Sequence, residues 1–131
     1  MVKRIRRISD CKTEVEKSLR ALGYDTNPVD QNSLHDKECV VLYDNVSTEI
    51  YTQEEYEHKV YITIDVCIDN NNEIPYVALE LIENITHDVE NSEVPWCTSF
   101  QVTNSDVLKL GTSHILHITA CYIPIVDWVV D

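Results

Sequence analysis

Apolar residues recur every three or four positions near the start of the chain. They occupy positions 5, 8, 11, 15, 19 and 22, a spacing that places them on one face of an α-helix. Ser9 or Asp10 can cap the start of this helix if the preceding residues form an arm. Gly23 suits its end, because glycine readily adopts the left-handed conformation that ends many helices. The pattern predicts an amphipathic helix from Ile5 to Leu22.

The clearest strand signal is a strict alternation of apolar and polar residues between His58 and Asp69. One face carries Val60, Ile62, Ile64, Val66 and Ile68, and the other carries Tyr61, Thr63, Asp65, Cys67 and Asp69. This period of two predicts a strand with one face in the core and a wetter opposite face. The short apolar run Cys39–Tyr43 predicts another strand. The glutamate-rich segment Thr48–Glu57 predicts an exposed strand or hairpin arm.

A second helix and further strands are predicted after this point. Apolar residues from Ile74 to Val89 recur at helical spacing, and Pro75 suits a first helical turn, where its missing N–H costs nothing. Phe100–Val102 is a weak strand signal and Thr112–Val126 a strong one. Because Pro124 has no backbone donor, this last strand is expected at a sheet edge or bent at that residue. Clusters of Asn, Asp and Ser predict loops at 25–33, 69–73 and 103–106.

The predicted order of elements is α-β-β-β-α-β-β. Several consecutive strands with two helices predict an α+β fold with a mostly antiparallel sheet and the two helices packed on one face. The chain has 131 residues, of which 44% are hydrophobic and 25% charged. These values are typical of one globular domain. We therefore expect residues 1–131 to form a single domain.

Neither a membrane anchor nor a secretory signal is expected. The most apolar stretch, Ile115–Val130, contains His117, Thr119, Pro124 and Asp127, and it falls short of the roughly 20 apolar residues that span a bilayer. The basic N-terminus is not followed by the apolar run of a signal peptide. The five cysteines are odd in number and scattered. We interpret them as reduced core residues of a cytoplasmic protein.

The charge is unevenly distributed within a formal net charge of −13. The first 20 residues hold seven basic and three acidic groups and carry +4, so that the rest, with three basic and 20 acidic groups, carries −17. An acidic body repels the dense negative charge of DNA, which disfavours sequence-specific DNA binding. A basic arm on such a body indicates contact with an acidic neighbour, including another copy of the same protein. The residues of this hypothesis are Lys3, Arg4, Arg6 and Arg7.

No constellation of residues predicts chemistry. Motifs for a nucleophile elbow, a phosphate-binding loop, a dinucleotide turn or a zinc protease are absent from the sequence. His114 and His117 stand three apart on a predicted strand and so point to opposite faces, although His58 could pair with either across the sheet. Asp69–Glu73 has Ile74 where a calcium loop needs glycine. The sequence predicts no catalytic residue, no cofactor and no metal site, and therefore no enzyme.

The arrangement of elements resembles the tail terminator proteins of long-tailed bacteriophages. The resemblance covers nearly the whole chain and rests on a pattern of elements with no residue motif. The elements that carry it are the first helix through Val15, Leu19 and Leu22, the arm Thr48–Tyr56, the strand from His58 to Val66, the helix Ile74–Val89 and the final strand His114–Ile123.

The resemblance implies a structural virion protein of the phage neck, assembled in the host cytoplasm. Such proteins form a ring, here expected to have six copies, that caps the tail tube, ends tail growth and joins tail to head. Partners would be other copies, the tail tube protein and neck or connector proteins, with DNA only passing through the lumen. The hypothetical interface comprises the four basic residues above together with Glu49, Tyr51, Glu54, Glu55, Tyr56 and Glu57.

Two alternatives remain open. The first is another neck component, such as a stopper, adaptor or tail-completion protein. Stoppers are mostly β and adaptors mostly helical, so the mixed pattern favours the terminator. The second alternative is a small enzyme, or a regulator that mimics the charge of DNA, which the acidic body would suit. Such mimics usually spread acidic residues over helices, whereas the second predicted helix bears few.

Overall fold

The computed structural model describes residues 2–6, 8–50, 52, 56–69, 73–92, 97–110, 113–124 and 126–130. Their order is β-α-β-β-α-β-β-β, which contains both predicted helices. The elements are β1 (Val2–Arg6), α1 (Ile8–Ala21), β2 (Cys39–Ile50), β3 (Tyr56–Asp69), α2 (Ile74–Glu90), β4 (Cys97–Leu110), β5 (Ser113–Pro124) and β6 (Val126–Val130).

The larger of two sheets has the strand order β2-β3-β5-β4, and each neighbouring pair is antiparallel. With its two helices this sheet confirms the predicted α+β class. The strand that contains Pro124 is interior and does not lie at an edge, so of the two expectations only a bend at that residue stays a prediction. Pro124 is tolerated because it is the last residue of β5, aligned with Cys97 at the start of β4. The chain then leaves this sheet and enters β6.

The core lies between one face of this sheet and the two helices. Alternate residues of β3 and β5 face it, as the register pairs Ile62 with Ala120 and Ile64 with Ile118. Ser18 of α1 is also buried, and it contacts α2. The buried apolar cluster draws Cys11, Val15 and Leu19 from α1, Leu81, Ile85 and Val89 from α2, and Val60, Ile62, Ile64, Val66, Leu116, Ile118, Ala120 and Tyr122 from the two central strands.

The first helix starts later than its apolar pattern predicts. It begins at Ile8, because Val2–Arg6 form β1 and pair with β6 in a separate two-stranded antiparallel sheet. We call this sheet the ribbon. The helix ends as predicted near Gly23, whose φ of 94° is left-handed. The Tyr24 N–H there donates to the Leu19 carbonyl oxygen at 3.1 Å, which satisfies a carbonyl of the last turn.

The second helix matches its prediction closely. It spans Ile74–Glu90 and has Pro75 in its first turn. Residues Ile74, Leu81, Ile85 and Val89 are buried along one stripe, as a period of 3.6 residues requires. The helix therefore covers the sheet with the face that the sequence indicates.

The strands β2 and β3 form one long hairpin. Their register runs from Cys39 opposite Val66 to Ile50 opposite Tyr56. A bulge between Tyr43 and Asn45 inserts one extra residue into β2. The strand predicted at Cys39–Tyr43 and the exposed segment predicted at Thr48–Glu57 therefore belong to one hairpin, which the bulged strand β2 forms with β3.

The loop predicted at residues 103–106 is wrong, because these residues lie inside β4. The strand β4 is at a sheet edge and shifts register twice, between Thr98 and Gln101 and between Val102 and Asn104. Polar side chains are acceptable there because the residues 103–106 are exposed. Bulges at an edge also allow a strand to continue through residues that favour turns.

Candidate functional site

The β2–β3 hairpin extends past the end of the β3–β5 pairing, although Glu57 and Lys59 at its base still line a cavity with Gln101 and Cys121. Pairing between β3 and β5 ends at Val60 and Tyr122, whereas pairing between β2 and β3 continues to Ile50 and Tyr56. We call the projecting part, residues 47–50 and 56–59, the hairpin arm. It is the exposed strand or hairpin arm that the glutamate-rich segment predicts, and its tip marks what we call the hairpin end of the sheet.

The acidic residues of the predicted interface are brought together on this arm. Glu49 and Glu57 are directly opposite each other across the two strands. Cross-strand like charges destabilise a sheet when they stand alone, and a basic residue, Lys59, lies two residues after Glu57 on the same face. Tyr56 is opposite Ile50. Of the remaining predicted residues in this segment, Tyr51, Glu54 and Glu55 lie outside the described residues.

An apolar stripe on the hairpin was not anticipated from the sequence. Tyr43, Val46 and Ile50 are 42%, 50% and 75% exposed. They lie on the helix-facing side of the sheet, because their register partners include the buried Ile62 and Val60. We call these three residues the hairpin stripe. It continues the apolar face of the sheet past the helices that cover the core.

The helix α1 contacts the base of this stripe. The Lys12 ammonium lies 5.6 Å from the centroid of the Tyr43 ring, within the range of a cation–π interaction. Behind it, the buried Tyr122 phenol has a raised pKa, chiefly because burial disfavours its charged form. The base of the hairpin is thus tied to the helix layer, while Val46 and Ile50 extend outwards.

The basic segment of the predicted interface is a strand and not an arm. Lys3, Arg4 and Arg6 lie in β1, where their register partners are residues 129, 128 and 126 of β6. The correction arises because β6 supplies hydrogen-bonding partners to this segment. Arg7 lies outside the described residues. Because β6 starts two residues after Pro124, the ribbon leaves the sheet from the hairpin end, the end that also carries the hairpin arm.

The opposite face of the sheet holds a cavity of about 450 Å³. His117 lies in it, with its Nδ1 2.5 Å from Oδ1 of Asp65 on the neighbouring strand. This pairing orients the imidazole and leaves Nε2 as the second hydrogen-bonding atom. Asp106 of β4 is the register partner of His117 on the strand that flanks β5 opposite β3. The cavity is lined by Gln31, Asn32, Ser33, Leu34, Asp65, Leu108, Ser113, Ile115 and His117.

The histidines do not gather at one place. His114 is aligned with Ile68 on the core side, and His117 is aligned with Asp65 on the other side, as predicted from their spacing. The possible pairing of His58 with either of them is not found. His58 lies near the other end of β3, where its Nδ1 is 2.8 Å from the Thr48 hydroxyl. The candidate calcium loop falls mostly on residues 70–72, which lie outside the described residues.

No family model matches the chain, and no curated protein matches it. Within the described ranges, none of the helices is both long and apolar enough to cross a membrane. The same part of the chain contains no group of three or more His, Cys, Asp or Glu residues placed to hold a metal ion. The hairpin end combines an exposed apolar stripe with an opposed pair of glutamates.

Proposed function

We propose that this chain is a structural protein of the phage neck, which forms a hexameric ring that caps the tail tube, ends tail growth and joins tail to head. The observation that carries the proposal is the hairpin arm. It presents an apolar stripe and an opposed pair of glutamates at the same end of the sheet as the basic strand β1. In this role the protein is part of the virion and is not an enzyme.

The two surfaces are suited to a contact between copies. A ring forms when one surface of each subunit meets a different surface of the next and the rotation closes. In our proposal the pair Glu49 and Glu57 of one copy contacts β1 of its neighbour, and the hairpin stripe, on the opposite face of the arm, packs against another part of the ring. The apolar residues of the stripe would lose their exposure to water, and the carboxylates would meet a strand that carries basic residues. Such complementary potentials set the orientation of partners.

The acidic body supports the second part of the role. Beyond residue 20 the chain carries −17, so a lumen lined by this body would repel the phosphates of DNA passing through it. Contacts with the tail tube and the neck would then use the two ring faces. The basic residues near the N-terminus would contact protein partners.

The proposal is tested by the assembly state of the purified protein, with and without tail tubes from a long-tailed phage. Native mass spectrometry and negative-stain imaging are expected to show six-membered rings, either alone or at the ends of added tubes. A protein that stays monomeric and binds no tube end contradicts the proposal. A monomer that also inhibits a DNA-binding enzyme would instead support the charge-mimic alternative.

A matched pair of variants tests the contribution of the hairpin stripe. The double substitution Val46→Thr and Ile50→Thr keeps β-branched side chains in the strand but removes part of the apolar surface. The control is Val29→Thr, because Val29 is 97% exposed in the loop before β2. We expect the double variant to lose rings and the control to keep them. Equal ring formation by both variants would mean that the stripe is not the contact.

A further inference from the structure

Two cysteine sulfurs contact each other where the helix layer meets the sheet. Sγ of Cys11 on α1 lies 3.4 Å from Sγ of Cys97, the first residue of β4. Both cysteines are free thiols in this structure. Cys11 is fully buried, whereas Cys97 is partly exposed. One thiol is therefore enclosed by the core, and its neighbour is accessible to a small reagent.

The pair lies at the junction between the main sheet and the ribbon. Cys97 is aligned with Pro124, the last residue of β5 before the chain continues into β6. Cys11 is in the first turn of α1, shortly after β1. A covalent bond between the two sulfurs would join α1 to β4 beside the point from which both ribbon strands emerge.

We propose that Cys11 and Cys97 are a redox modification site, at which the two thiols form a reversible disulfide by exchange with a small-molecule disulfide such as oxidised glutathione. In the first step the Cys97 thiolate attacks one sulfur of the reagent, forming a mixed disulfide and releasing one small thiolate. In the second step Cys11 loses its proton, and its sulfur attacks the Cys97 sulfur of the mixed disulfide and releases the second small thiolate. The protein loses two protons and two electrons, and the reagent is reduced to two thiols.

The electrostatics of the pair favour this order of attack. The hydrogen bond from Cys11 lowers the pKa of the Cys97 thiol, although burial partly opposes it. The same hydrogen bond, together with burial, raises the pKa of Cys11. The thiolate is the nucleophile in exchange, so the accessible Cys97 reacts first and the buried Cys11 resolves the mixed disulfide. Elsewhere, burial raises the pKa of Cys39 to about 12 and that of Cys67 to about 11.

The test is oxidation of the native full chain by excess oxidised glutathione, followed by acid quenching, alkylation of the free thiols in denaturant and peptide mass spectrometry. The expected product has lost two hydrogen atoms and contains a linked Cys11–Cys97 peptide, while Cys39 and Cys67 are recovered alkylated. Dithiothreitol is expected to restore the original mass. Circular dichroism during the reaction shows that the protein remains folded.

Two substitutions provide controls. Cys97→Ser is expected to abolish the linked peptide, and Cys121→Ser is expected to retain it. Oxidation should raise the thermal midpoint of the native chain but not that of Cys97→Ser. The proposal is overturned if the folded native chain gives no linked peptide, if the reaction stops at a mixed disulfide on Cys97, or if the link appears only after denaturation. Because these results need only the wild-type chain, misfolding of a variant would leave the test intact.

Discussion

The hydroxyl of Ser18 on α1 donates a hydrogen bond of 2.7 Å to Oδ2 of Asp88 on α2. Ser18 is buried, whereas the Asp88 side chain is about half exposed. The bond joins the two helices that cover the sheet. It is a polar link that fixes how the helices lie against each other.

Removing this hydroxyl is expected to weaken the helix layer moderately. Ser18→Ala should lower the free energy of unfolding by about 1 kcal/mol, because the half-exposed carboxylate of Asp88 can regain water when its partner is lost. Urea denaturation followed by circular dichroism measures the change. Ser33→Ala in the exposed loop serves as the control and should leave stability unchanged. An unaltered midpoint for Ser18→Ala would show that the bond contributes nothing.

Two leucines on one helix give a sharper test of the core. Leu81 is buried and Leu79 is 54% exposed, although only two positions separate them. Leu81→Ala is expected to cost about 2–5 kcal/mol of stability, as large-to-small changes in cores do. Leu79→Ala should stay within about 0.5 kcal/mol of the wild type. Similar losses in both variants, measured by chemical denaturation, would contradict the orientation of α2 on the sheet.

Stability at alkaline pH should depend on the thiol of Cys39. Its pKa is raised by burial to about 12 from an ordinary value of 9.0, so between these values the folded state holds a proton that the unfolded chain releases. The contribution to stability is fully present below pH 9 and is lost as pH rises towards 12. For one group the slope is at most about 1.4 kcal/mol per pH unit.

Denaturation in reducing buffer at a series of alkaline pH values checks this slope. Cys39→Ala should be less stable overall, but its stability should fall less steeply above pH 9 than that of the wild type. Between pH 6 and 8 the two curves should run parallel. Parallel curves throughout the alkaline range would rule out the proposed titration.

The ring contact that we propose should depend on the positive charge near the N-terminus. Replacing Lys3, Arg4, Arg6 and Arg7 by Ser is expected to reduce ring formation, and added salt should weaken wild-type rings because it screens exposed charges beyond about 8 Å at physiological strength. Native mass spectrometry over a salt series gives both results. The control replaces Lys37 and Lys109, which lie near the other end of the sheet, and should preserve rings. Salt-independent assembly would argue against this contact.

The sequence was most informative where one local pattern decides the structure. The helix α2 follows from its apolar period and from Pro75, and the end of α1 follows from Gly23, since each depends on neighbouring residues alone. The start of α1 could not be located in this way. Ile5 continues the helical period, but its segment pairs with a strand at the far end of the sequence, and no local pattern reveals that partner.

The candidate site was predictable only in part, for a similar reason. Acidic residues near Glu49 and Glu57 mark an exposed segment, and the structure places these two opposite each other. The hairpin stripe was not foreseen, because Tyr43 and Val46 are three residues apart and would lie on opposite faces of a regular strand. The bulge in β2 brings them to the same face. Polar residues at 103–106 predicted a loop because only neighbouring residues were considered. Their exposure on an edge strand depends on the arrangement of the whole sheet.

The bulge at Asp44 decides which residues of β2 lie on the same face of the hairpin. With this extra residue, Val46 and Ile50 share the side of Tyr43, and Glu49 lies on the opposite side with Glu57. If Asp44 were instead paired as a regular residue of the ladder, the rest of β2 would shift by one position against β3 and exchange its two faces, since neighbouring residues of a strand point in opposite directions. The carboxylate of Glu49 would then stand where Ile50 does now. A single insertion thus decides whether the arm offers an apolar or an acidic face to whatever approaches it from the helix side.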